Sequence, residues 1–234
     1  YSRSIDAATA AGQSSWKMPD RKRCSTGSRS GNEKREIIMN SILTMFTTTI
    51  GSAAVIAAIS ALFFSSKKRS ELHRKNKTAH SFLLAFVFGI LSIYASVSAV
   101  EVDGLLCNCR NLPPLYAGMV GGPIAGIGAA LIGGIYRYFV GGPARFSCSI
   151  ACLVAGILGA AIHLFVKKEK RYNVLTGAVA SVIVELIHFG LACAFGLYEG
   201  AKVVVWPSAL AGFLGMMFCL YIYTKFDQTD HDIM

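Results

Sequence analysis

The chain has 234 residues, 53% of them hydrophobic and only 15% charged, with a net charge of +10 and a mean hydropathy of +0.50. A soluble domain carries nearer a quarter charged residues, so this composition argues against a water-soluble fold. The basic residues fall in an N-terminal tail and two short loops, which argues against a nucleic-acid footprint, and an odd total of seven cysteines argues against a disulfide scaffold.

Residues 1–38 are rich in Ser, Gly, Arg and Lys and lack apolar periodicity, the signature of a disordered basic extension. The sequence opens on Tyr1, while Met39 starts M-N-S-I-L-T-M-F, a plausible opening of a membrane protein. Residues 1–38 therefore read as an upstream read-through or a truncated extension. No cleavage site follows a short apolar core, so they are not a signal peptide. The membrane domain is expected over 39–226, and 227–234 form a tail too short to hold a domain.

Six apolar blocks follow, at about 37–64, 82–100, 115–135, 148–166, 174–197 and 203–223. Each approaches the roughly 20 residues that a helix needs to cross a hydrocarbon core. The expected fold is an all-α polytopic membrane bundle of five to six hydrophobic segments. Two loops are strongly basic. The first, 65–80, holds Lys67, Lys68, Arg69, Arg74, Lys75 and Lys77 against Glu71; the second, 167–172, holds Lys167, Lys168, Lys170 and Arg171 against Glu169. Such loops mark the cytoplasmic side. Three apolar blocks separate them, and three full crossings would place them on opposite sides. A re-entrant or broken 115–135 segment, buried where irregular backbone is tolerated, restores the agreement. The N-terminus and the acidic stretch 101–104 then face out and the C-terminus faces in. Six plain crossings, with one basic loop against the rule, is the alternative.

The stretch 108–142 is dense in glycine. Gly118, Gly122, Gly126, Ala130 and Gly134 recur every four residues, which on one helix leaves a face bare for close packing. Arg110 and Arg137 bracket the apolar part. A guanidinium near lipid is costly unless it pairs or meets water, and its planar fork matches a carboxylate. If the segment folds back, its two ends approach one side and both arginines can converge on a small anion. The competing role is a pair of interfacial anchors that snorkel to head groups.

Other residues carry weaker signals. Cys148, Cys152, Gly156 and Ala160 share one helix face, where a cysteine serves as apolar filler. Ser147 and Ser149 can bond a ligand or the helix backbone. Glu185 and His188 are mid-span ionisable residues at i and i+3, candidates either for function or for mutual pairing. His163 reads as interfacial. Ala53, Ala57 and Ala61, with Ala54 and Ala58, form small-residue packing faces. Cys107 and Cys109 are too few ligands for zinc. No metal site, cofactor motif or catalytic set is read: the chain lacks a phosphate loop, an H-E-x-x-H and a G-x-S-x-G.

In combination, Asn108-Cys109-Arg110, Gly121-Gly122-Pro123 with Gly126, Arg137-Tyr138, Gly141-Gly142 and Cys148 resemble the five-transmembrane receptor domain of LytS-type sensor proteins. The likeness spans about 40–223. It implies a membrane-embedded sensory input module of the bacterial cell membrane. In that family such a module precedes a histidine kinase or diguanylate cyclase output domain and acts as a dimer. Some family members are similar to pyruvate receptors. By that resemblance Arg110, Arg137 and Cys148, with Asn108 and a nearby serine, would hold a small carboxylate. Where the family pattern places a serine three positions after the cysteine, this chain has Ala151; Ser149 or Ser147 is the substitute. No kinase or cyclase sequence follows the last span in this chain, so no enzyme activity is expected within it.

Substrate-binding subunits of energy-coupling-factor vitamin transporters are the alternative. They are similar in size, and their first span carries an A-x-x-x-A face like Ala53, Ala57 and Ala61.

Overall fold

The computed structural model describes residues 31–65, 75–102, 105–167, 170 and 172–232. Most of the basic extension and most of the first basic loop lie outside the described residues. Tyr1–Met39 and Asn40–Met234 separate as two units, and the fold below is that of the second. Among the described residues seven helices occur in order: α1 (Gly31–Ser65), α2 (Lys77–Val97), α3 (Leu112–Gly121), α4 (Pro123–Val140), α5 (Arg145–Phe165), α6 (Val174–Ala194) and α7 (Tyr198–Asp232). A short antiparallel hairpin, β1 (Val100–Val102) and β2 (Leu105–Cys107), joins α2 to α3. Among the described residues six helices are long and apolar enough to cross a membrane, α3 being too short. The bundle is all-α apart from that hairpin, which the sequence reading did not anticipate. Two boundaries differ from expectation. Helix α1 starts at Gly31, inside the extension read as disordered, and α7 runs on to Asp232, through most of the tail.

The glycine-rich block is not one helix. Gly122 adopts φ 81 and ψ −167, a backbone region essentially reserved for glycine, and Pro123 supplies no N–H to continue the turn. The chain breaks there into α3 and α4. The four-residue glycine repeat therefore does not line a single bare face, as expected from its spacing. Instead Gly118 on α3 faces Gly126 on α4, and a Cβ on Gly126 would lie 2.6 Å from the Gly118 Cα and 2.7 Å from Gly156 O of α5. Three backbones meet where no side chain fits. Close approach of this kind replaces the hydrophobic driving force that lipid does not provide.

The contacts fix the direction of every helix. Gly128 lies against Ala85 and Gly133 against Ser92, so α4 runs parallel to α2. Gly118 lies against Gly159 and Met119 against His163, so α3 runs parallel to α5, while Gly126 against Gly156 and Gly134 against Ser149 make α4 antiparallel to α5. Gly177 against Leu220 and Gly212 against Ser181 set α6 antiparallel to α7, and Gly215 against Ala53 with Cys219 against Ser60 sets α7 parallel to α1. Helices α3 and α4 thus run down and back. Their two outer ends share one face of the bundle, and the C-terminal ends of α1 and α5 share the other. The topological conflict in the sequence is resolved as the broken-segment reading expected: the block breaks at Gly122 into α3, too short to span, and α4, which has spanning length.

Helix α3 is about 15 Å long at 1.5 Å per residue, and Leu112 through Val120 are all buried. Pro113 and Pro114 sit in its first turn, where a missing N–H is harmless. At its far end the Ser81 hydroxyl donates to Gly121 O at 2.9 Å, and the His163 ring Nδ1 lies 2.9 Å from Met119 O. The carbonyls that a short helix leaves open are thereby met from α2 and α5. Tyr116 donates to Cys219 O of α7 at 3.3 Å and stands edge-on to Phe88 of α2. Ala53 and Ala57 are buried in the bundle, Ala61 is half-buried, and Ala54 and Ala58 are exposed.

Candidate functional site

The break at Gly122 returns α4 to the level where α3 began. Arg110, just before α3, and Arg137, in the last turn of α4, come within electrostatic range of each other and of Cys148 in the first turn of α5. Both arginines are fully buried, at 0% and 1% exposure. A backbone turn aims Arg137: its Nη1 donates to Gly141 O, and Gly141 adopts φ 82 and ψ −155. The start of α3 is held by Ser92 of α2, whose hydroxyl donates to Arg110 O at 3.1 Å.

The Arg110 guanidinium has no hydrogen-bond partner for Nε, Nη1 or Nη2 among the described residues, and Arg137 Nε and Asn108 Nδ2 have none either. Neither arginine makes an ion pair there. The nearby carboxylate is spent elsewhere: Glu185 Oε1 accepts from Asn111 Nδ2 at 2.9 Å, and Glu185 Oε2 lies 3.3 Å from His188 Nδ1. His188 Nε2 in turn lies 3.4 Å from Cys148 Sγ. Among the described residues, two guanidinium charges therefore stand beside one carboxylate. A buried charge without a partner is costly, and a small anion is the chemistry that would relieve it.

A cavity of about 30 Å³ adjoins this cluster, lined in part by Ser147, Cys148, Glu185, His188 and Ser208. The β-hairpin supplies Leu105 and Leu106 to its wall. Ser147 donates to Ala144 O at 3.2 Å. Ser149 faces away: it donates to Gly134 O at 2.9 Å and ties α5 to α4. Gly121, Gly122, Pro123 and Gly126 build the break and the crossing, while Gly141 and Gly142, both at positive φ, build the turn after Arg137. Asn111 escaped the sequence reading. An asparagine just before Leu-Pro-Pro looks like a helix cap, but its side chain makes no capping bond and reaches α6 instead. Glu185 and His188 were visible as a mid-span pair, yet only the fold brings them to Cys148.

Cys107 and Cys109 flank the cluster in the hairpin and its exit. Cys109 Sγ lies 3.3 Å from Ser52 Oγ, and burial pushes its thiol up to about 11, the Ser52 contact opposing this. Burial likewise raises Cys107, which lies 3.5 Å from both Thr49 and Ser208 hydroxyls. The six cysteines among the described residues are free thiols.

The family model described as 5TMR of 5TMR-LYT matches residues 64–225. Among curated proteins, the sensor histidine kinase BtsS of Escherichia coli K12 is 30% identical over 131 residues, covering 54% of this chain and 23% of that protein. The sensor histidine kinase YpdA of the same strain is 30% identical over 142 residues, covering 58% and 25%. The sensor protein LytS of Bacillus anthracis is 28% identical over 133 residues, covering 50% and 23%. The chain thus spans about a quarter of the length of the curated relatives it matches. No solved structure matches it. The match covers well over half of the chain and takes in five of its six long apolar helices. The chain belongs to the LytS-type five-transmembrane receptor family, a multi-pass sensory domain of the bacterial inner membrane.

Proposed function

We propose that this domain senses a small carboxylate, with pyruvate as the model ligand, bound between Arg110 and Arg137. The observation that carries the reading is the Arg110 guanidinium, fully buried with three unpartnered nitrogens beside a second buried guanidinium. A carboxylate offers two oxygens with about four acceptor sites, enough for both forks. Asn108 Nδ2 adds a third donor, and Cys148 with Ser147 borders the adjoining cavity. Ser149 is engaged with Gly134 and is not part of this set.

Binding would neutralise one excess charge and draw α3, α4 and α5 together at their shared end. A ligand shifts a signalling equilibrium only by its differential affinity for two helix arrangements. Helix α7 contacts α6 along its length and α3 through Tyr116 and Cys219, and it leaves the bundle at the end that carries the basic loops. It is the route to a cytoplasmic output domain, a histidine kinase or cyclase, which would work as a homodimer. The test is thermal stabilisation of the purified domain by pyruvate. Arg110→Ala and Arg137→Ala should each abolish it; stabilisation that survives both substitutions overturns the reading.

A further inference from the structure

We propose that Cys148 is an activated nucleophile that adds reversibly to a carbonyl next to the ligand's carboxylate, so that the site holds 2-oxo acids covalently. This rests on the anion reading above and goes a step beyond it.

The geometry is a chain of four side chains from two helices and one loop. Asn111 Nδ2 donates to Glu185 Oε1 at 2.9 Å, Glu185 Oε2 lies 3.3 Å from His188 Nδ1, and His188 Nε2 lies 3.4 Å from Cys148 Sγ. The carboxylate fixes the tautomer: Nδ1 carries the proton toward Glu185, and Nε2 is left as the acceptor for the thiol. Asn111 Nδ2 also lies 3.4 Å from Nδ1, a contact secondary to its bond with the carboxylate. A nucleophile, a base and a group that orients the base make up the arrangement that activates cysteine and serine nucleophiles in general. A histidine and glutamate that served only to bury one another would not need a thiol at the ring's far nitrogen. Glu185 is 5% exposed and Cys148 3%, and both border the cavity, so the sulfur has space to attack into.

The position completes the case. Arg110 and Arg137 both lie within electrostatic range of the same sulfur, so a carboxylate held between them brings its neighbouring carbon toward Sγ. If that carbon is a ketone, the step balances without oxidant or reductant. His188 Nε2 takes the thiol proton, Sγ bonds to carbon 2, and the carbonyl π pair moves to oxygen. The proton on Nε2 then passes to that oxygen. The product is a thiohemiketal, and the reverse steps release the ligand unchanged. His188 acts as base and then acid, and Glu185 with Asn111 are positioning residues. A plain carboxylate or a 2-hydroxy acid occupies the arginines but cannot form the bond.

The experiment uses the whole chain in detergent with 2-13C-pyruvate, observed by carbon NMR, beside thermal stabilisation by pyruvate and by acetate. The expected result is a protein-dependent tetrahedral-carbon signal, beyond that of hydrated pyruvate, which Cys148→Ser abolishes. His188→Gln, with the thiol intact, should slow its appearance at least tenfold, a deficit that a merely structural histidine would not produce in a variant with wild-type melting temperature. If both anions stabilise the wild-type chain but carbon 2 stays a carbonyl, the covalent step is wrong and the anion site stands. If neither anion stabilises it, both fall together.

Discussion

Asn111 at the entrance of α3 and Glu185 in α6 are joined by a 2.9 Å hydrogen bond inside the bundle. That bond holds the short helix against α6 and ties up one carboxylate oxygen. Among the described residues Glu185 is the acid at hand, and its oxygens are engaged with Asn111 and His188. Removing the amide while keeping its volume, as in Asn111→Leu, strips Glu185 Oε1 of its donor. The expected cost is about 2–4 kcal/mol of stability, read as a lower melting temperature. Glu185→Gln in the same background should recover part of it.

Truncation of either arginine should affect ligand response more than stability. Losing one partner of a buried charged pair costs on the order of 2–5 kcal/mol of binding, a weakening of at least about thirtyfold. Arg110→Ala should also relieve the repulsion between two unpaired guanidiniums, so the ligand-free domain melts no lower than wild type. A titration followed by melting temperature checks both halves. A variant that binds pyruvate normally sinks the assignment.

The three-backbone crossing tolerates no side chain. A Cβ on Gly156 would stand 2.4 Å from Gly126 O and 2.6 Å from the Ala130 Cβ. Gly156→Ala should destabilise the domain by about 1–3 kcal/mol through overpacking. Gly190 on α6 has nothing within 4 Å, so Gly190→Ala is the matched control with little change. Gly122→Ala should cost a similar 1–3 kcal/mol for a different reason, backbone strain at φ 81. Equal melting of all three variants and wild type would refute the packing described above.

The Cys109 thiol gives a pH signature. Its folded value, about 11, lies above the ordinary 9.0 because of burial. The unfolded chain loses that proton first as pH rises. The stability contributed by the neutral thiol is therefore full below about pH 9 and is lost as pH climbs through 11, by about 2–3 kcal/mol. Cys109→Ser, which has no group titrating there, should show a smaller decline over that window. Parallel pH profiles for the two proteins would remove Cys109 as the cause.

Helix directions predict orientation. In a Cys24→Ser background, Pro143→Cys, in the turn between α4 and α5, should react with a membrane-impermeant maleimide on intact cells. Lys75→Cys and Lys170→Cys, at the opposite end, should react only after permeabilisation. Labelling of Lys75→Cys and Lys170→Cys on different sides contradicts the down-and-back path of α3 and α4.

Composition and block length alone settled that this chain lives in a bilayer, because ~20-residue apolar runs have no other stable home at this frequency. The pairing of Gly121-Gly122-Pro123 with Arg110 and Arg137 also marked out the family and the two cations, since those residue types are costly or strained anywhere else. Where the chain breaks within the glycine run was not read from spacing: a four-residue repeat fits one helix, whereas Gly122 at positive φ and Pro123 without an N–H divide it in two, and packing against Gly156 and Gly159 seats the halves. Nor could the sequence join Cys148 to His188, forty residues away, or divert Glu185 from the arginines to Asn111. Those links depend on which helix faces meet, a global outcome of packing small residues tightly, and it is this packing that turned two isolated charges into one site.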